Sequence, residues 1–143
     1  MIIKIESIST NQLNQVIDIW LEANIEAHPF VSEDYWKSNQ VEVRKLLPQS
    51  DVYVYQLDNT IIGFMGIVDG YIAGIFVKNT YRGQKIGQKL LNTAKDDYSE
   101  LTLAVYKKNQ LAYHFYLRED FEVQEVSMDE ENQEVEYLMN WKK

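Results

Sequence analysis

The chain has 143 residues, 45% of them hydrophobic and 25% charged, with a formal net charge of −8 and no cysteine. That length fits one domain with a real core. The acidic balance argues against non-specific nucleic-acid binding, which needs a basic surface to displace counterions, and the missing cysteines exclude a disulfide framework, a thiolate zinc site and a cysteine nucleophile.

Met1 to Glu6 alternates like a strand and lacks the basic start and long apolar stretch of a signal peptide. No apolar run approaches the ~20 residues that span a bilayer, so a cytoplasmic location without a membrane partner is expected. Ile2 to Ser7 reads as a first strand. Ser9, with Gln12 three residues on, has the form of a capping box. Leu13, Val16, Ile17, Trp20 and Leu21 follow at helical spacing, and the helix should run to about Ala27. His28-Pro29 ends it, because the residue before proline is pushed out of the helical region. Ser32 caps a second helix with Glu33 and Asp34 in its first turn. Its apolar positions are Trp36, Val43, Leu46 and Leu47, and Pro48 closes it.

From Asp51 the period changes to two. Strands are expected over Asp51–Leu57, Thr60–Val68 and Tyr71–Val77, joined by Asp58-Asn59 and by Asp69-Gly70. The latter pair tolerates the positive φ of a type I′ turn. A polar loop carrying Arg82 and Gly83 then opens a helix whose Ile86, Leu90, Leu91 and Ala94 share one face and which ends near Ser99. Leu101 to Val105 is the next strand, so strand, helix and strand form a βαβ unit with a parallel pair. Asn109 caps a short helix to Arg118, with Leu111 stacked on Phe115 and Ala112 on Tyr116. Phe121–Met128 and Glu134–Trp141 close the chain as antiparallel strands around an acidic turn. Much of the negative charge lies late, at Glu119, Asp120, Glu122, Glu125, Asp129, Glu130, Glu131, Glu134 and Glu136, and reads as a solvated face, with attraction of a cationic substrate such as an amine as the alternative.

A strand feeding a glycine-bearing loop that opens a helix suits an anion, because first-turn amides lack partners and the helix dipole favours negative charge. The P-loop and dinucleotide fingerprints are both absent. Arg82-Gly83-Gln84-Lys85-Ile86-Gly87 instead has the shape Arg-x-x-Gly-x-Gly with lysine in the third-from-last place. Downstream, Leu103-Ala104-Val105-Tyr106 leads to Asn109, a two-residue gap, Ala112 and Phe115-Tyr116. This ordered pair of motifs resembles the GNAT superfamily of N-acetyltransferases over nearly the whole chain.

The resemblance implies a mixed α/β fold: a mainly antiparallel sheet of about seven strands with a central parallel pair, and about four helices, in one domain over residues 1–143. It implies acetyl-coenzyme A (acetyl-CoA) as co-substrate, no metal, and direct transfer of the acetyl group to a primary amine in a ternary complex. The acceptor would be a small molecule or a peptide, and the protein a monomer or homodimer. Arg82, Gly83, Gln84, Lys85, Ile86 and Gly87 would hold the pyrophosphate. Ile75, Phe76 and Val77 would bond the pantetheine arm, with Asn109 contacting it as well. Tyr116 would protonate the departing thiolate, and a backbone N–H near Phe76 would stabilise the acetyl oxygen. His28, Phe30 and Tyr35 are expected at the acceptor pocket.

The base is open among Glu26, His28 and a water chain, since the strand Tyr71–Val77 holds no carboxylate. Lys85 is expected in a helical conformation with its ammonium near the phosphates, and Asp120 in the left-handed one. His114 is expected at the surface. The contrasting reading is a non-catalytic acyl-CoA-binding or regulatory module.

Overall fold

In the computed structural model, which describes residues 1–143, the chain runs β1 (Ile2–Ile5), α1 (Thr10–Ala27), α2 (Glu33–Leu46), β2 (Asp51–Leu57), β3 (Thr60–Val68), β4 (Tyr71–Val77), α3 (Ile86–Asp97), β5 (Glu100–Tyr106), α4 (Gln110–Arg118), β6 (Glu122–Asp129) and β7 (Glu134–Lys142). Local signals act as expected at most boundaries. Both arms of the capping box form at α1: Gln12 N–H donates to Ser9 Oγ at 3.1 Å, and Ser9 N–H donates to Gln12 Oε1 at 2.9 Å. Ser32 Oγ accepts from Asp34 N–H at 3.2 Å and starts α2. Asp58 and Asn59 (φ 49° and 65°), then Asp69 and Gly70 (φ 49° and 78°), make the two hairpin turns.

The strands form one sheet in the order β1-β2-β3-β4-β5-β7-β6. Every neighbouring pair is antiparallel except β4 and β5. β7 inserts between β5 and β6, so the closing hairpin adds to the sheet by its second strand. β3 is buried on both faces from Ile61 to Ile67. One core, under α3 and α4, gathers Tyr53, Ile62, Met65, Ile72, Leu90, Leu91 and Leu103. The other, under α1, gathers Ile17, Trp20, Val52, Val54, Ile61 and Phe64. At ~25 cal/mol per Å² of apolar surface, these two layers are the main stabilising term.

Two apolar stripes are narrower than their spacing suggests. α2 buries only Trp36, while Leu46 is 48% exposed, because the helix packs on α1 rather than against the sheet. Leu111 in the first turn of α4 is 88% exposed, and the expected stacking on Phe115 does not bury it.

The feature that matters for function is where β4 leaves β5. Their parallel pairing is limited to Tyr71 with Thr102 and Ile72 with Leu103. On its other side β4 stays with β3 to Val77, but the register steps from Ile67–Ile72 to Gly66–Gly74, which leaves Ala73 as an extra residue. Such a bulge bends a strand and increases its twist. Beyond it, residues 74 to 77 of β4 have no partner on the β5 side, and a slot opens through the sheet.

Candidate active site

The loop before α3 is built from two left-handed residues. Gly83 has φ 82° with open space where a Cβ would lie, and Lys85 has φ 62° and ψ 23° as the N-cap of α3. The expectation of a helical Lys85 is therefore corrected. The turn must reverse the chain into α3 within a few residues, and the left-handed conformation does this at a strain of about 1–2 kcal/mol for a residue bearing a Cβ. No side chain caps α3 and no acid lies in its first turn, so its leading amides and dipole are uncompensated.

A cavity of about 430 Å³ lies against this end, lined by Val77, Arg82, Gly83, Lys85, Ile86 and Gly87, with Phe115, Arg118 and Glu119 opposite. Gln84 is exposed and stands outside its wall. Arg82 is directed away toward α1, where its Nη1 donates to Glu26 Oε1 at 2.6 Å.

The slot continues from this cavity. Ile75, Phe76, Val77, Arg82 and Gly87 line one side of a space of about 420 Å³, and Asn109, Ala112, Phe115 and Tyr116 of the α4 segment line the other. Tyr116 is only 7% exposed, and its hydroxyl makes no hydrogen bond within the protein. Burial raises its pKa well above that of a free phenol, and the nearby Tyr71 adds to the shift. The hydroxyl thus keeps its proton at neutral pH.

Asn109 uses its whole amide. Its Oδ1 accepts from Ala112 N–H at 3.3 Å as the N-cap of α4, which orients its Nδ2 toward His28 Nε2 at 3.2 Å. An amide nitrogen can only donate, so Nε2 is the unprotonated nitrogen. The ring's Nδ1–H donates to the Asn24 carbonyl at 2.9 Å. Burial lowers the His28 pKa, with the Asn24 bond opposing it in part, and the imidazole is neutral. One partly buried link across 81 residues thereby ties the end of α1 to the start of α4.

Through the slot lies a second cavity of about 320 Å³, on the α1–α2 face. His28 stacks on Trp36 at 5.1 Å and meets Phe30 and Tyr106 edge-on at 5.7 and 5.3 Å. Tyr35 packs on Trp36 and lines the cavity, whereas Phe30 supports His28 and Tyr106 from behind it. The Trp36 indole N–H is buried without a partner.

Two lining residues, Tyr71 and Tyr106, carry no site signal in the sequence, and Glu136 stands out there only as one of the late acidic residues. Alternation along β5 could have placed Tyr106 off the core face, opposite in phase to Leu103 and Val105. Glu136 needs the β5–β7 register, which pairs it with Tyr106. The acidic turn is also more than a solvated face: Asp129 accepts from the Tyr106 hydroxyl and from Asn132 Nδ2, so the turn is pinned to the cavity wall. His114 is exposed, and Asp120 has φ 72°, both as expected.

A sequence model described as the acetyltransferase (GNAT) domain matches residues 48–123. The chain is 29% identical over 133 residues to the peptidyl-lysine N-acetyltransferase YiaC of Escherichia coli strain K12, covering 92% of this chain and 91% of that protein. It is 27% identical over 124 residues to the peptidyl-lysine N-acetyltransferase YjaB of the same strain, covering 86% and 84%. Among solved structures, apo YjaB from Escherichia coli superposes with a TM-score of 0.83 at 23% identity, covering 99% and 96% of the two chains. The PaiA N-acetyltransferase of Thermoplasma acidophilum, in complex with coenzyme A, gives 0.80 at 22% identity, covering 100% and 99%. At these identities the two structures speak to the fold, which they share with this chain.

Proposed function

The chain belongs to the acetyltransferase (GNAT) family and transfers an acetyl group from acetyl-CoA to an amine; from that premise we propose that its acceptor is the side-chain amine of a lysine in a peptide. The observation that carries the reading is the continuous path from the uncapped start of α3, along the unpaired edge of β4 and past Tyr116, into the aromatic cavity. The names of the two relatives support a peptidyl lysine. The net charge of −8 supports a cationic acceptor over nucleic acid. An intracellular thioester as donor carries a cytoplasmic location with it.

The residues present suit coenzyme A. Uncompensated amides at Ile86 and Gly87 and the left-handed turn at Gly83 and Lys85 would receive the pyrophosphate, with Lys85 and Arg118 supplying positive charge. Amides and carbonyls on the open edge of β4, from Gly74 to Val77, would pair with the amides of the pantetheine arm as a strand would. Acetyl-CoA, when bound, supplies an activated acetyl carbonyl and a thiolate leaving group.

The chain's own task is then orientation and proton handling. Tyr116, kept neutral by burial, would serve as general acid toward the sulfur. A β4 amide near Phe76 would donate to the acetyl oxygen as negative charge develops on it. Asn109 and His28 hold the two walls of the slot at a fixed spacing. With no cysteine in the chain, direct transfer in a ternary complex is the simplest course. A binding module without catalysis is not favoured, because the Tyr116 hydroxyl is left free of protein partners at the slot.

Incubation with acetyl-CoA and a panel of lysine peptides, read by mass spectrometry, tests the reading. A mass gain of one acetyl on the lysine side chain is expected. Gain only on small amines would refute the peptide acceptor, and no thermal stabilisation by coenzyme A far above a micromolar affinity would refute the donor site.

A further inference from the structure

The sequence leaves the proton acceptor for the incoming ammonium open, and the structure commits both side chains it offers. Glu26 is paired with Arg82 at 2.6 Å. His28 is bonded at both ring nitrogens, to Asn24 and Asn109. Of the carboxylates near the acceptor cavity, Glu134 pairs with Lys108 at 3.1 Å, Asp129 accepts from Tyr106 and Asn132, and Glu131 lies against Tyr35 outside the cavity wall. Glu136 is the one carboxylate in the cavity wall, and it has neither an ion pair nor a hydrogen bond. It stands beside Tyr106 in the β5–β7 register, in a wall shared with Tyr71 and Tyr116.

We propose that Glu136 binds the acceptor's ammonium group and takes its proton. The proposal rests on the acetyl-transfer reading above. One proton passes from R–NH3+ to the carboxylate, leaving R–NH2 and a neutral carboxylic acid. The nitrogen lone pair then forms the C–N bond to the acetyl carbon as the C–S bond breaks. The Tyr116 hydroxyl gives its proton to the sulfur, and the second proton shed by nitrogen returns to the Tyr116 oxygen. Glu136 releases its proton to solvent, so amine and thioester become amide and thiol with both residues restored.

The surroundings favour this exchange. Facing Glu136 are Tyr106 from β5, Asp129 from β6, Tyr71 from β4, Tyr116 from α4, and Tyr35 and His28 from the helical side, with Lys108 already held by Glu134. No free cation is among them. Burial raises the Glu136 pKa, and the Asp129 charge raises it further, which makes the carboxylate a better base. The same aromatic wall disfavours a charged amine and brings the two proton affinities closer.

Two measurements test it. In protein labelled with 13C at glutamate carboxyls, the Glu136 resonance is assigned by its loss in Glu136→Gln and followed through a pH titration with n-butylamine as the lysine side-chain probe. It should titrate above the ordinary glutamate range and move on addition of n-butylammonium. A Glu136 that titrates like an exposed glutamate and ignores saturating n-butylammonium overturns the proposal.

In turnover of a lysine peptide near neutral pH, Glu136→Gln should lose about 10²-fold or more in kcat. The deficit should shrink as the pH nears the lysine pKa of about 10.4, where the acceptor arrives neutral. Glu136→Asp, which keeps the carboxylate, should retain part of the rate and serves if Glu136→Gln does not fold. An unchanged kcat in Glu136→Gln overturns the base assignment alone. Absence of lysine-peptide turnover by the wild-type protein overturns the peptide acceptor proposed above, and the titration still decides whether Glu136 binds the amine.

Discussion

Lys85→Gly should make the protein more stable while weakening its hold on coenzyme A. Lys85 sits at φ 62° with an exposed side chain that makes no ion pair. Relief of left-handed strain is worth about 1–2 kcal/mol, and the greater freedom of glycine in the unfolded chain takes back about 0.4–1 kcal/mol. At the middle of both ranges the net gain is about 0.8 kcal/mol. With an unfolding entropy of about 2.1 cal/mol/K per residue, this chain should melt about 2–3 °C higher. Loss of one exposed charge beside a diphosphate should weaken coenzyme A by about 0.5–1 kcal/mol, roughly two- to five-fold, and the difference should vanish at high salt. Lys85→Ala separates the two effects, because it loses the charge and keeps the strain. Calorimetric melting and isothermal titration of the three proteins would read both quantities. Equal melting temperatures for Lys85→Gly and Lys85→Ala would refute the strain argument, and equal coenzyme A affinities at low salt would refute the electrostatic one.

Tyr116→Phe should cost about 10²-fold or more in acetyl transfer with no loss of thermal stability, because the hydroxyl it removes has no protein partner and faces the slot. A lowered melting temperature would show that the hydroxyl is structural. Asn109→Ala removes the N-cap of α4, at about 0.5–2 kcal/mol, and strands the His28 Nε2 acceptor, at about 1–3 kcal/mol. Together these predict a loss of about 1.5–5 kcal/mol in urea unfolding, and a loss below about 0.5 kcal/mol would contradict the link between α1 and α4. His28 has a folded pKa below its unfolded value of about 6.5. Its contribution is thus present above that pH and lost as the pH falls below it, since the unfolded chain then binds the extra proton. Wild-type stability should accordingly drop between about pH 7 and 5 more steeply than that of His28→Gln, and parallel curves would refute a buried neutral imidazole.

Local chemistry accounts for how much of this molecule is legible without coordinates. The capping box at Ser9 and Gln12, the turns at Asp58-Asn59 and Asp69-Gly70, and the caps at Ser32 and Asn109 depend on neighbours within a few residues. They appear in the structure as the sequence predicts. The loop at Arg82–Gly87 and the Asn109–Tyr116 segment are likewise local patterns, and the match over residues 48–123 agrees with the family they resemble.

Other properties depend on residues far apart in the chain, and tertiary structure alone decided them. The bulge at Ala73 is a mismatch between two strands, so β4 by itself cannot announce the slot it opens. Lys85 is forced left-handed by the path from β4 into α3, against its own preference. The engagement of His28 by Asn109 spans 81 residues, and Glu136 reaches the acceptor cavity only because β7 enters the sheet beside β5. The sequence by itself determined the elements, their caps and the family. Which side chains those elements bring into one cavity, and which are left free to act there, followed from strand register and packing, because neither is encoded in any contiguous stretch of residues.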